Sequence, residues 1–319
     1  MNSGTKRDLL IIAGPTGTGK SDFAIELAQK VQGEVISCDS MQIYKGLDIG
    51  TAKVMPSETK GITHHMIDVV EPTEEFSVAQ YAKLASACIS DIINRRNNPI
   101  VVGGTGLYID SFVYSLSFIS NRDDAIRAKL EEDFIKYGKD VMYNRLREID
   151  PDDAKKIHPN NTKRLLRALE IYEVNGKSKS QYCERVPNTD YKPHIIALTN
   201  CRDMIYNRIE ARVDKMWNNG LFDEVDCLLK KGLDWDNQCM QAIGYKEFRL
   251  YYEGQASLDD VKDAIILNTK RYAKRQITWL KKYKDAMWYN IGNEYNEAMS
   301  MALQIVNGYK RNVNGNDLK

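Results

Sequence analysis

Leu9-Leu10-Ile11-Ile12-Ala13-Gly14-Pro15-Thr16-Gly17-Thr18-Gly19-Lys20-Ser21 decides the fold class of this 319-residue chain. An apolar run that ends at glycine reads as a strand buried on both faces, as in a parallel sheet. Gly14, Pro15, Thr16, Gly17, Thr18, Gly19, Lys20 and Ser21 then fit G-x-x-x-x-G-K-[ST]. From Ser21 to Val31 the apolar residues Phe23, Ala24, Leu27, Ala28 and Val31 recur at helical spacing. Strand, glycine loop and helix are the setting in which this pattern has physical meaning. Glycines let the backbone wrap until successive N–H groups point at phosphate oxygens, and the helix dipole adds positive potential. Lys20 supplies a point charge and the Ser21 hydroxyl can reach Mg²⁺. The bland alternative is a glycine-rich turn with no ligand. The motif implies a diphosphate or triphosphate site and leaves the reaction open.

Outward from this stretch, strand and helix signals alternate. Glu34-Val35-Ile36-Ser37 reads as a second strand, Ser77-Val78-Ala79-Gln80 as a capping box opening a helix to about Arg95, and Pro99-Ile100-Val101-Val102 as a third strand. The expected fold is α/β, a P-loop NTPase-like parallel sheet flanked by helices. Residues 115–190 lose strand character and gain charge. Helices are expected at Asp123 to Tyr137, Lys139 to Glu148 and Asn161 to Val174, punctuated by Pro151, His158-Pro159 and Gly176. The expected organisation is a core of 1–114 and 191–319 with an all-helical insertion, 115–190. His194 to Leu198 returns to strand. Helices follow at Asp203 to Trp217, Leu221 to Lys231, Lys246 to Glu253 and Leu258 to Lys282, then a strand at Ala286 to Tyr289 and a frayed tail, Asn312 to Lys319.

Composition narrows the class. With 43% hydrophobic and 28% charged residues the chain is not disordered, and no apolar run approaches the ~18 residues of a membrane span. Met1 to Asp8 is short and polar, with no secretory h-region. Six scattered cysteines without CxxC spacing point to reduced thiols in the cytosol, and His64-His65 lacks further ligands for a structural zinc. The net charge of +1 says nothing of nucleic acid. Val261 to Lys284, however, carries Lys262, Lys270, Arg271, Lys274, Arg275, Lys281, Lys282 and Lys284 against Asp263 alone. Such a run is either a solvated helix face or an anion-binding surface.

The strand ends carry the chemistry, because ligands gather there in open parallel sheets. The third strand ends in Gly103-Gly104-Thr105-Gly106, a hydroxyl among glycines where a motor ATPase would place a metal-holding carboxylate. The second ends in Asp39, within Ser37-Cys38-Asp39-Ser40-Met41-Gln42. Asp39 is a candidate general base or outer-shell metal partner; otherwise it caps a turn. Arg208 and Arg212 lie four apart, on one helix face. Either could brace a phosphate, or merely pair with Glu210 or Asp214.

These residues, with Ile43-Tyr44-Lys45-Gly46-Leu47-Asp48-Ile49-Gly50-Thr51-Ala52-Lys53, Val102-Gly103-Gly104-Thr105-Gly106-Leu107-Tyr108, Ile157-His158-Pro159-Asn160, Arg164-Leu165-Leu166-Arg167-Ala168-Leu169-Glu170, Ile243-Gly244-Tyr245-Lys246 and Ala273-Lys274-Arg275-Gln276-Ile277-Thr278-Trp279-Leu280, resemble the tRNA dimethylallyltransferases. The likeness spans roughly residues 8 to 290. It implies transfer of a dimethylallyl group from dimethylallyl diphosphate to N6 of adenosine 37, in tRNAs reading codons that begin with U, with Mg²⁺ as cofactor. By the same resemblance the P-loop holds the donor's diphosphate, Asp39 takes the N6 proton, Thr105 contacts the adenosine and Arg212 braces the leaving diphosphate. The tRNA-contacting positions it implies are Asp39, Ser40, Met41, Gln42, Thr105, Arg127, Lys163, Arg164, Leu165, Leu166, Arg167, Gln241, Gly244, Tyr245 and Lys246.

The chemistry of the residues agrees. Pyrophosphate leaves well only when its growing charge is neutralised, and a carboxylate beside N6 suits a weak amine nucleophile. Lys155, Lys156, Lys163, Arg164 and Arg167 are expected to meet anticodon-stem phosphates, with the run Lys270 to Lys284 extending that surface. Ile265, Ile266, Tyr272, Ile277 and Leu280 are expected in the core. Two features depart from many relatives: Gln241 and Lys246 stand where arginine is common, and no zinc finger follows the catalytic part, which points to the bacterial type; no oligomer seam is visible, so a monomer is expected. Two rivals share the phosphate loop. A small-molecule kinase would consume ATP without prenylating tRNA, and a non-catalytic nucleotide-binding module would tolerate loss of Asp39.

Overall fold

Strand β1 (Arg7–Ala13) lies inside a six-stranded sheet, and its segment Leu9–Ala13 has no exposed surface at all. In the computed structural model residues 6–115, 123–178, 180 and 186–314 are described. The other strands are β2 (Gly33–Cys38), β3 (His64–His65), β4 (Asn98–Gly103), β5 (Tyr191–Thr199) and β6 (Met287–Asn290), in the order β3-β2-β4-β1-β5-β6. Every pairing is parallel, which accounts for near-continuous apolar strands in place of alternation. The expected α/β class is therefore the fold that forms.

Side-chain parity assigns the two faces. Leu10 and Ile12 join Phe23, Ala24 and Leu27 of α1 (Lys20–Val31) in one core, completed by Ala298, Ala302 and Val306 of the last helix. Leu9 and Ile11 point the other way. There α2 (Val78–Asn94), which opens with the expected Ser77–Gln80 capping box, and α3 (Gly106–Val113) pack along β4 and β5. Tyr81 and Tyr108 stack at 3.8 Å between those helices, and the Tyr81 hydroxyl donates to the Ser37 carbonyl at 3.0 Å.

The chain divides into two units, Met1–Val113 with Thr189–Lys319, and Tyr114–Asn188. The second has its own helices and core. They are α4 (Asp124–Ile149), which leaves helical geometry at Gly138 (φ 80°) where two helices were expected, α5 (Pro151–Ala154) and α6 (Thr162–Asn175). Leu130, Met142, Leu146, Ile157, Leu165, Leu166 and Leu169 fill this core. In the first unit, β5 leads into α7 (Arg202–Asn218) and α8 (Leu221–Lys230). The helix expected over Lys246 to Glu253 is instead a 3-10 turn, Lys246–Phe248, running into the short α9 (Arg249–Tyr252). Tyr245 and Phe248, three apart, are both fully buried, and side chains at that spacing eclipse one another in a 3-10 turn. Then come α10 (Leu258–Leu280), β6 and α11 (Tyr295–Asn314).

Several elements go beyond the sequence expectation: β3, α3 and α11. Of the expected frayed tail, residues 312–314 end α11 and 315–319 lie outside the described residues, as does Cys183. Cys38, Cys88, Cys201, Cys227 and Cys239 are free thiols. His65 is hydrogen-bonded to Glu34 at 2.6 Å and His64 to the Ile62 carbonyl at 2.9 Å. Among the described residues no helix is long and apolar enough to cross a membrane.

Candidate active site

Four chain segments meet at the carboxyl ends of β1, β2 and β4. The phosphate loop follows β1, and its turn depends on left-handed Gly17 (φ 83°) and Gly19 (φ 87°), a region closed to most side chains. The Thr18 hydroxyl donates to the Pro15 carbonyl at 2.8 Å, and Lys20 Nζ reaches back to the same carbonyl at 3.4 Å. Helix α7 braces the loop from outside. Arg212 donates to the Thr16 hydroxyl at 2.7 Å and to the Ala52 carbonyl at 3.5 Å; Arg208, one turn earlier, donates to the Thr18 carbonyl at 3.1 Å. Both arginines thus engage the loop, while Glu210 and Asp214 pair with Lys270 and Lys262 instead.

Asp39 follows β2 and Thr105 follows β4. The register that sets Cys38 beside Gly103 brings them together. Thr105 N–H donates to the Cys38 carbonyl at 3.2 Å, and the Thr105 hydroxyl accepts the Ser40 N–H at 3.1 Å. The Asp39 carboxylate accepts the Met41 N–H at 2.9 Å and the Gln42 N–H at 3.4 Å, both through Oδ1. Asp39 is therefore a turn cap, and the turn engages only one of its oxygens. Gln42 turns its amide to the Ser37 hydroxyl and to the Thr51 and Ala52 carbonyls.

The charges around the loop are poised for an anion. Lys20, among protein atoms in the crevice, is pushed down to about 8, first by desolvation and then by the Arg212 charge, against the pull of Asp39. Desolvation likewise lowers Arg212, again opposed by Asp39. Two crowded, poorly hydrated cations favour a ligand with negative charge. The sign for folding follows. Between pH 8 and 10.5 the unfolded chain holds the Lys20 proton and the folded chain does not, so for this residue stability rises with pH across that window. An anion that needs the ammonium should bind less well above pH 8. We expect kcat/KM for a diphosphate substrate to fall with an apparent pKa near 8. Lys20→Arg, whose charge persists, should abolish that limb; a limb of the same position in both proteins would refute the assignment.

For a divalent cation, the Ser21 hydroxyl stands exposed at the first turn of α1 and Asp39 adds a carboxylate. Among the described residues no three His, Cys, Asp or Glu side chains converge. So sparse a set of hard oxygens fits an ion such as Mg²⁺ that keeps its waters and takes other ligands from phosphate.

Other residues singled out by sequence fare differently. Leu165, Leu166 and Tyr245 are buried, so their side chains pack inside the chain. The Tyr245 hydroxyl donates to Glu224 at 2.6 Å, and Gly244 N–H donates to Glu247. Gln241 and Lys246 are exposed, with the Gln241 amide turned to the Trp235 carbonyl. In the helical unit, Arg127 and Arg167 share one buried carboxylate, Glu170, at 3.5 and 2.8 Å, while Lys163 and Arg164 lie at the first turn of α6. The basic run is not one surface. Lys262, Lys270 and Lys282 are paired with Asp214, Glu210 and the buried Asp110. Arg271, Lys274, Arg275, Lys281 and Lys284 are the exposed remainder. Of the stripe expected in the core, Ile265 and Leu280 are buried, whereas Ile266, Tyr272 and Ile277 are half-buried. The Tyr272 hydroxyl meets Thr105, and its acidity is pushed down, to a pKa of about 12, by desolvation and then by the Asp39 charge.

Two site residues escaped the sequence reading. The Glu224 carboxylate accepts the N–H groups of Asp48, Ile49 and Gly50 at 2.8–3.0 Å, fixing the loop whose Ala52 carbonyl receives Arg212. Gln276 lies between the phosphate loop and Gly104. Glu224 had no signal beyond its place in a helical pattern; Gln276 stands in one of the stretches that carry the family resemblance, which gave it no role of its own.

Comparison with known proteins places this geometry. Residues 42–283 match the family model described as IPP transferase. The tRNA dimethylallyltransferase of Alkaliphilus oremlandii is 44% identical over 313 residues, 97% of this chain and 99% of that protein. That of Caldanaerobacter subterraneus is 48% identical over 286 residues, covering 88% and 91%. Among solved structures, the tRNA isopentenylpyrophosphate transferase of Bacillus halodurans superposes with a TM-score of 0.70 at 39% identity, covering 96% of this chain and 99% of that one. A eukaryotic dimethylallyltransferase acting on tRNA gives 0.81 at 31%, covering 96% and 80%. The chain belongs to the IPP transferase family, the tRNA dimethylallyltransferases.

Proposed function

We propose that this chain transfers the dimethylallyl group of dimethylallyl diphosphate to N6 of adenosine 37 in tRNAs reading codons that begin with U, releasing diphosphate, as a monomer in the cytosol. The observation that carries the proposal is the pairing of an anion cradle, with its depressed Lys20 and braced Arg212, to a carboxylate and hydroxyl at the neighbouring strand ends. Lys20, Arg212 and the loop amides neutralise the diphosphate as the carbon–oxygen bond breaks. Ser21 would hold Mg²⁺, which when bound would supply further charge neutralisation to the leaving group. Asp39 accepts the N6 proton as the new carbon–nitrogen bond forms, and Thr105 contacts the base, which must leave its stack to enter a crevice. Arg127, Lys163, Arg164 and Arg167 bind anticodon-stem phosphates, with Arg127 and Arg167 held side by side by Glu170. Ser40, Met41, Gln42, Gln241, Gly244 and Lys246 belong to the tRNA-facing set, with Gly244 and the buried Tyr245 contributing through the backbone.

The direct test is incubation with dimethylallyl diphosphate, Mg²⁺ and unmodified tRNA, followed by nucleoside analysis. N6-(dimethylallyl)adenosine should appear; ATP consumption with a small alcohol, and no modified nucleoside, would favour a kinase. The helical unit's part is tested separately. Arg167→Ala should weaken tRNA binding and reduce the salt slope by about one, with little change in donor KM. An unchanged slope between low and high salt would remove that residue from the interface.

A further inference from the structure

The crevice has a donor half, residues 14–21 with Arg212, and an acceptor half, Asp39 and Thr105. One side chain joins the two. Gln276 reaches from α10 into the interior, where it is 5% exposed. Its Oε1 accepts the Thr16 N–H at 2.9 Å, inside the phosphate loop. Its Nε2 donates to the Gly104 carbonyl at 3.1 Å, in the turn that presents Thr105.

Chemistry at this point leaves little choice. The linking group must accept at one end and donate at the other while neutral, and an amide does both. Space is as limited. A Cβ built on Gly104 would lie 2.2 Å from Nε2, so the turn closes directly onto the amide. The same contact has an electrostatic side. Because Gln276 takes the Thr16 N–H, that amide is not among the donors offered to a phosphate, and Thr16 instead presents a hydroxyl held by Arg212.

We propose that Gln276 is a positioning residue that sets the separation between the diphosphate cradle and the acceptor residues, so that the allylic carbon and N6 meet at bonding distance. The proposal rests on the prenyl-transfer reading above. Misplacement of reacting groups by about 1 Å can cost 10²-fold in rate without loss of either substrate. Gln276 should therefore act on kcat and leave binding nearly alone.

Gln276→Met keeps the length of the side chain and removes both hydrogen bonds. We expect kcat for tRNA prenylation to fall about 10- to 100-fold. KM for dimethylallyl diphosphate and for tRNA, and the dissociation constant of inorganic pyrophosphate by calorimetry, should stay within about threefold of wild type. Gly104→Ala presses on the same link from the other side with Gln276 intact, and its Cβ also meets the Gly14 carbonyl at 2.9 Å, so it should reproduce the fall in kcat, though not the unchanged binding, if the first variant does not fold. A folded variant of either kind with wild-type kcat overturns the proposal. So does a loss of pyrophosphate affinity in Gln276→Met as large as the loss of kcat, since Gln276 would then serve the cradle itself. Wild-type enzyme that forms no prenylated nucleoside would instead remove the underlying reading.

Discussion

Asp39→Asn should lower kcat by about 10²–10⁴-fold with tRNA and donor still bound, the range for loss of a general base. Asparagine separates two roles the aspartate combines. Its side-chain oxygen can still accept the Met41 N–H that Oδ1 receives at 2.9 Å, so the turn survives. It cannot take a proton. Asp39→Ala should lose as much rate and, in addition, about 0.5–1.5 kcal/mol of stability from the broken turn hydrogen bond. Single-turnover prenylation and thermal unfolding of the two variants together make the comparison. Wild-type turnover in the asparagine variant would leave Asp39 a turn residue only.

The second large effect is expected at Lys20. Lys20→Ala removes a charge-assisted donor aimed at the leaving diphosphate, and kcat/KM for dimethylallyl diphosphate should fall about 10²–10³-fold, as for loss of one preorganised donor. The free protein should not lose stability in proportion. Desolvation and Arg212 hold the Lys20 ammonium down to about 8, so below that pH its burial opposes folding. Lys20→Met, which keeps the stem's packing, should unfold at the same temperature or higher at pH 7. A variant that retains the donor's kcat/KM, or that unfolds well below wild type, would contradict the cradle described here.

Sequence displayed the phosphate loop well and the geometry of the neighbouring strand ends partly. A phosphate loop is contiguous, and its glycines, Lys20 and Ser21 are dictated by a local turn, so eight adjacent residues suffice. Asp39 and Thr105 were legible because parallel strands deliver their following residues to one edge. Arg212 shared a helix face with Arg208, and both proved to engage the loop. The rest depends on contacts between residues remote along the chain. Glu224 meets Asp48, Ile49 and Gly50 with no local pattern to announce it, and Gln276, though inside a motif, meets Thr16 across 260 residues of chain. Charge was misleading for the same reason. Lys282 counted as a surface cation until Asp110, 172 residues earlier, appeared beside it. Leu165, Leu166 and Tyr245 belonged to motif stretches, yet burial makes them scaffolding under their charged neighbours. Of the elements not anticipated, β3 has two residues, too few for any periodic signal. Helix α11 was recoverable, since Ala298, Ala302 and Val306 recur at the spacing of one helical face.

That last helix has a consequence for biosynthesis. Tyr295 lies edge-on to Phe23 of α1 at 5.3 Å and its hydroxyl bonds Glu26, while Ala298, Ala302 and Val306 complete the core behind the phosphate loop. A ribosome emits the loop well before these supports. The nascent chain therefore carries an uncovered apolar sheet face until this helix has emerged. The phosphate loop gains this backing only then, so a chain interrupted anywhere before this helix should be prone to aggregation and unable to hold the loop in shape.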